Sequence, residues 1–244
     1  MERDHRAAVA TFFAPGEWAE RVSLPDGAAH HALVKRLAVG DAVRISSGDG
    51  RLAVGEIAEL GKGTMAVAID AGDIEHVAAP PYIELWAPVG DRERMLMLAE
   101  KAAELQVSAW RSVVYARSRS VSPRGEGEGF AGKLKARQVG ALEQSGGAWL
   151  PRMLGECALE TLLSERRDAN TGRLLLEAGA EPLGAQHGTP GGVCVALGPE
   201  GGLEGRERAA FLAEGWQPVS LGANVLRFET AAIAALAILR QPAR

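Results

Sequence analysis

The segment that most narrows the possible folds is Val193-Cys194-Val195-Ala196-Leu197, five consecutive apolar residues. A short unbroken apolar run bounded by turn signals is the pattern of a strand buried on both faces. Such strands belong to parallel sheets covered by helices on both sides. The run passes directly into Gly198-Pro199-Glu200-Gly201-Gly202, and a helix is expected from about Glu204 to Glu214. Glycines let a ligand approach the backbone closely, and the helix start offers unpaired N–H groups. Turns of this kind at the carboxyl end of a parallel strand often hold phosphates or nucleotides. This one is not GxGxxG and lacks a P-loop lysine, so taken alone it is equally a tight strand-to-helix connection.

The rest of the chain supports an α/β sheet in its larger part. Strands are expected at Tyr82–Ala87, Trp110–Tyr115, Arg173–Leu176 and Pro218–Leu221, with helices over Arg92–Gln106, Lys133–Gln144 and Phe228–Arg240. In the first helix Met95, Leu98, Ala102 and Leu105 share one face. Alternation of strands and helices implies a parallel sheet. Ser118–Gly132 is rich in glycine, serine and charge and reads as a loop. The first eighty residues differ: a short helix over His30–Leu37, then Ala42–Ile45, Leu52–Ile57 and Met65–Ile69 as short strands separated by turns. That spacing suggests a small barrel or sandwich. Pro80-Pro81 can continue neither a ladder nor a helix, which sets the boundary between domains at 1–79 and 80–244.

Charge and cysteine usage limit the function. The chain carries a net charge of −4, unpromising for a nucleic-acid binder. Yet residues 111–137 hold seven basic side chains, among them Arg117, Arg119, Lys133 and Arg137, against Glu126 and Glu128; that local +5 leaves −9 on the remainder. Cys157 and Cys194 are the only cysteines and form no CxxC pair, which argues against a disulfide framework and a zinc site and fits a reducing cytosol. No signal-like segment opens the chain, and the longest apolar stretch, Thr230–Leu239, is too short to span a bilayer. A soluble cytoplasmic protein without metal is expected.

A second glycine-ended strand, Val219-Ser220-Leu221-Gly222, leads through Ala223-Asn224-Val225-Leu226 to Arg227-Phe228-Glu229-Thr230-Ala231 at the start of the last helix. Singly, Arg227 is explained by a surface ion pair, Glu229 by the helix dipole and Thr230 by capping. Together with the Gly198–Gly202 block, these residues resemble the paired C-terminal loops of the SPOUT methyltransferases, most closely the family that methylates N3 of a uridine in 16S ribosomal RNA. Arg94-Met95, Glu100–Val107, Glu143-Gln144-Ser145-Gly146 and Pro151 are similar to upstream segments of that family, and His31, Lys35-Arg36-Leu37 and Gly40-Asp41 to its PUA-like RNA-binding domain.

The resemblance implies a trefoil-knotted α/β domain preceded by a PUA-like β-barrel, a topology that periodicity cannot reveal. It implies S-adenosylmethionine held by Leu176, Leu197, Gly198, Pro199, Glu200, Gly201, Gly202, Leu221, Gly222, Leu226 and Thr230. RNA would contact Lys35, Arg36, Arg117, Arg119, Lys133 and Arg137, with 16S rRNA or the 30S subunit as substrate and a homodimer as the working form. Removal of the N3 proton calls for a carboxylate or for electrostatic stabilisation of the base. Arg227 suits the second role and Glu200 or Glu229 the first. Two positions depart from the family pattern: Ala223-Asn224 stands in place of a basic pair, and Gly147 in place of arginine. A ribosome-assembly factor that has lost methyl transfer, a methyltransferase acting on another RNA nucleotide, and a phosphate-binding α/β enzyme are the competing readings.

Overall fold

A computed structural model describes residues 8–118, 128–165, 170–188 and 191–241. The chain divides into two compact units, residues 1–79 with 139–150, and residues 80–138 with 151–244. The segment 139–150, expected within the second domain, therefore groups with the first.

The first unit contains β1 (Thr11–Phe13), β2 (Arg21–Ser23), α1 (Ala28–Val34), β3 (Ala42–Ser46), β4 (Arg51–Leu60), β5 (Met65–Ala68) and β6 (Glu75–His76). The sheet order is β1-β3-β4-β5-β2, with β6 paired to β4. β1 runs parallel to β3, and the other pairings are antiparallel. Phe12, Val43, Ile45, Ile57 and Val67 form its core together with Ala29 and Ala32 of α1. Gly55 of β4 has no room for a side chain, because a Cβ there would meet the Ala68 carbonyl oxygen. β1 and β2 lie outside the expected strands: at three residues each they are too short for alternation to register.

The second unit contains β7 (Ile83–Pro88), α2 (Arg92–Glu104), β8 (Ala109–Val114), α3 (Glu128–Ser145, whose last turns belong to the first unit), β9 (Arg152–Ala158), α4 (Leu159–Ser164), β10 (Gly172–Pro182), β11 (Val193–Leu197), α5 (Gly205–Ala213), β12 (Gln217–Ser220) and α6 (Phe228–Leu239). Its six strands are all parallel, in the order β12-β10-β11-β7-β8-β9. α3 begins at Glu128, inside the stretch expected to be a loop. β9 escapes sequence patterning because it is an edge strand, largely exposed and interrupted by Gly155 at φ 79°.

Every residue of β11 is buried. Val193, Val195 and Leu197 join one core with α2 and α6; Cys194 and Ala196 join another with Leu159 and Leu162 of α4 and Phe211 of α5. In the second core Trp86 lies with its ring 4.7 Å from that of Trp216, which stands edge-on to Phe211 at 5.0 Å. The Trp86 indole N–H donates to Glu84 Oε1 at 2.7 Å. On the first face α6 packs against α2, β7 and β11. Its C-cap Arg240 donates to the carbonyls of Leu105, Gln106 and Pro81, tying the end of α6 to the end of α2. Among the described residues no helix is long and apolar enough to cross a membrane.

Truncating Trp86 removes a fully buried aromatic from this packing. Trp86→Ala is expected to cost about 3–5 kcal/mol in urea unfolding followed by circular dichroism; a loss below about 1 kcal/mol would mean that the cluster does not hold the sheet.

Candidate cofactor and active site

Three connections at the carboxyl ends of neighbouring strands build one cavity of about 450 Å³. The first comes from β10. This strand pairs with β12 through Leu174–Leu176 and again at Glu181 and Pro182, and the register shift between them releases residues 177–180 from the ladder. Leu176, Glu177 and Ala178 face the cavity at that shift. The second connection follows β11. Gly198, Pro199, Glu200 and Gly202 line the cavity, and the turn is closed by the Gly202 N–H donating to the Pro199 carbonyl at 2.8 Å. Gly202 adopts φ 72°, in the left-handed region that favours glycine.

The third connection follows β12. The Gly222 N–H donates to Ser220 Oγ at 3.2 Å, and that hydroxyl donates to the Gly222 carbonyl at 3.1 Å. Gly222 itself takes φ 137°. Leu221, Gly222, Asn224, Val225, Leu226 and Arg227 pass along the cavity, and Phe228 and Ala231 of α6 close it. The lining is therefore largely backbone and leucine side chains, with a few polar groups at the rim.

Ten of the residues expected at the site converge here: Leu176, Leu197, Gly198, Pro199, Glu200, Gly202, Leu221, Gly222, Leu226 and Arg227. Three do not line the cavity. Gly201 turns away, and its carbonyl accepts from Arg117 Nη1 at 3.0 Å. Thr230 lies on the exposed side of the first turn of α6, where Ala231 takes the inward position. Glu229 is buried and directed at Arg94, with Oε1 3.7 Å from Arg94 Nε; its Oε2 has no hydrogen-bond partner among the described residues. Sequence reasoning left out Ala178, Val219, Ser220, Asn224, Val225, Phe228 and Ala231 as lining residues. It also gave no side-chain role to Glu177, whose Oε1 accepts from Arg208 Nε of α5 at 2.7 Å.

Arg94 is the connection that the motifs alone do not disclose. It stands in the first turn of α2, where its amide N–H is capped by Asp91 Oδ1 at 3.1 Å. Its guanidinium pairs with Glu200 of the glycine turn and faces Glu229 of α6. One cation thus links two of the segments that form the site. Beside it Gly90 admits the Phe228 ring, which would lie 3.0 Å from a Cβ at that position.

The residues expected to meet RNA are scattered. Arg117 is braced on the Gly201 carbonyl and lies 4.0 Å from Glu204. Arg137 pairs with Glu100 at 3.7 Å, and Lys133 is exposed. Arg119 lies outside the described residues. In the first unit Lys35 caps α1, and Arg36 follows it at φ 58°, a left-handed conformation that glycine usually fills after a helix. Among the described residues no three His, Cys, Asp or Glu side chains are grouped to hold a metal ion.

Residues 79–240 match the family described as RNA methyltransferase domain, about two-thirds of the chain. The chain belongs to that family. Residues 24–70 match the RNA methyltransferase PUA domain. A ribosomal RNA small subunit methyltransferase E from Synechocystis is 26% identical over 84% of this chain and 67% of its own. Its namesake from Mycobacterium bovis is 28% identical over 85% of this chain and 80% of its own. The crystal structure of a ribosomal RNA small subunit methyltransferase E from Neisseria gonorrhoeae, bound to S-adenosyl methionine, superposes with a TM-score of 0.81 at 26% identity, covering 93% of this chain and 95% of that one.

Removing Arg94 leaves the Glu229 carboxylate buried without its cation, a change that typically costs about 3–5 kcal/mol. Arg94→Met is expected to lower the unfolding midpoint in urea, and adding Glu229→Gln to restore much of the loss. Equal, additive losses from the two substitutions would show that the residues do not interact.

Proposed function

We propose that this protein is an S-adenosylmethionine-dependent methyltransferase that modifies N3 of a uridine in 16S rRNA, acting in the cytoplasm as a homodimer. The observation that carries the reading is the convergence of the β10, β11 and β12 connections on one cavity in a chain of the RNA methyltransferase family. The cavity fits the cofactor's chemistry. Leu176, Leu197, Leu221 and Leu226 offer apolar walls for a purine. The glycine positions bring backbone donors and acceptors within reach of its edge. α6 leaves β12 at the sheet edge and returns to pack on α2, β7 and β11, and the knotted path that the SPOUT resemblance implies is part of this proposal.

When bound, the cofactor supplies an electrophilic methyl group on sulfur. The chain's task is to align the uracil N3 with that methyl and to manage one proton, so positioning accounts for much of the rate. As N3 takes the methyl, its proton passes to a carboxylate. Both candidate glutamates face Arg94, but Glu200 is exposed and lines the cavity, whereas Glu229 is buried and does not. Glu200 is therefore the better placed base, and Glu229 a support for Arg94. Arg227, exposed at the cavity, stabilises negative charge developing on the uracil carbonyls. Val225, 89% exposed beside the cavity mouth, gives a second subunit apolar surface to cover.

Incubation of 30S subunits and of naked 16S RNA with S-adenosylmethionine, followed by nucleoside mass spectrometry, tests the reading. 3-Methyluridine is the expected product. A different methylated nucleoside would overturn the specificity, and no methylation of either substrate would overturn the activity. Glu200→Gln should reduce kcat by about 10²- to 10⁴-fold, the usual contribution of a general base. Glu229→Gln should act mainly on stability. The reverse ranking would exchange their roles.

A further inference from the structure

The second unit has another opening, on the face of the sheet opposite α2 and α6. A groove of about 580 Å³ runs between α4 and α5 and shares no lining residue with the cofactor cavity. Each helix is anchored from below, α4 by Leu159 and Leu162 and α5 by Phe211, all in the core with Trp86 and Trp216. Above those anchors the groove has an apolar floor. Leu159 and Leu163 line it from α4, and Ala210 and Ala213 from α5. Spacings of three and four set each pair on one helix face. Ala210 is half-buried and Ala213 exposed. Alanine ends at Cβ, so α5 leaves the space toward α4 unfilled.

The charge around that floor is negative. Three carboxylates, of Glu160, Glu207 and Glu214, line the groove against one guanidinium, of Arg206. Arg206 is already engaged, its Nε donating to Glu204 Oε2 at 3.0 Å. Glu207 is buried, and its oxygens accept the Ala116 N–H at 2.7 Å and the Glu204 N–H at 2.8 Å. Its charge is hydrogen-bonded but has no ion pair among the described residues. Glu160 and Glu214 are exposed and likewise form no ion pair among the described residues.

Glu214 is also badly placed for its own helix. It is the C-cap of α5, whose last turn holds no basic residue, and the helix dipole opposes a carboxylate there. Arg173 Nη1 donates to the Glu214 carbonyl at 2.6 Å and not to its carboxylate. The stability of α5 therefore does not account for a negative charge at this position.

We propose that this groove docks a basic segment of a partner protein, with an aliphatic side chain seated on Ala210 and Ala213 and flanking lysine or arginine side chains against Glu160 and Glu214. Charge complementarity selects this occupant. The phosphates of a nucleic acid would meet uncompensated carboxylates, and a neutral or acidic segment would leave those carboxylates unpaired at the contact. The space admits a few side chains of a helix or an extended segment laid in the groove. Docking there leaves the cofactor cavity open. The proposal does not depend on the methyltransferase reading.

The probe is a fluorescein-labelled peptide of about 14 residues, built from leucine, lysine and arginine as a basic amphipathic helix of four turns. Anisotropy with the full chain should show saturable binding, and no binding of a counterpart with glutamate for every lysine and arginine. Ala213→Trp keeps every charge and fills the groove; it should weaken the basic peptide about tenfold or more, the effect of losing a central anchor. Glu160→Gln combined with Glu214→Gln keeps the shape and removes the charges; it should weaken binding about fivefold and flatten its salt dependence. The thermal midpoint should stay at the wild-type value in both variants, because the substituted side chains are exposed. If Ala213→Trp binds the basic peptide as tightly as the wild type, the proposal is overturned, because the carboxylates then act only as surface charge. Equal binding of the acidic peptide, or no binding of the basic one, would overturn it too. A wild-type oligomer that Ala213→Trp dissociates in sedimentation velocity would assign the groove to a second copy and likewise overturn it.

Discussion

The double burial of β11 is the constraint on which the second unit depends. Because Val193, Val195 and Leu197 face α2 and α6 while Cys194 and Ala196 face α4 and α5, both sides of the strand are taken by helices. Ligand chemistry is thereby confined to the strand ends. A parallel sheet directs all its strands one way, so the connections leaving β10, β11 and β12 emerge together. The cavity is the consequence: the bulge at residues 177–180, the Gly198–Gly202 turn and the Leu221–Arg227 loop are three exits from adjacent strands.

Adjacent exits still need fixing relative to one another, and Arg94 performs that task by electrostatics. It reaches Glu200 in one connection and faces Glu229 at the base of the next, from a helix start that Asp91 caps. The Arg94–Glu200 pair is partly exposed and contributes modestly on its own. The buried carboxylate of Glu229 is what makes the cation costly to remove. The two carboxylates that face Arg94 differ in exposure: Glu200 lies half exposed at the cavity, and Glu229 is buried.

Much of this was legible from Val193–Gly202 and Leu221–Ala231. An unbroken apolar run ending in glycines specifies a buried strand and an open turn by composition alone, and ten of the residues named from the resemblance to SPOUT loops line one cavity. Thr230 and Gly201 lie next to lining residues without lining the cavity themselves, and a one-residue shift on a helix or turn is invisible to a motif. β9 and α4 were hidden because an exposed edge strand and a six-residue helix carry little periodicity. The pairing of Arg94 with Glu200 spans over a hundred residues, and the groove between α4 and α5 joins helices separated in sequence by β10 and β11; no local pattern encodes either. Asn224, where the resemblance leads one to expect a basic residue, does line the cavity, so any loss of positive charge there falls at the site itself.

If these three strand exits form a site for S-adenosylmethionine, isothermal titration calorimetry of the full chain will show saturable binding at one site per chain, abolished by filling the cavity with Gly222→Trp, and no comparable heat from ATP or NAD. Binding of ATP or NAD in place of S-adenosylmethionine, or S-adenosylmethionine binding that survives Gly222→Trp, would contradict it.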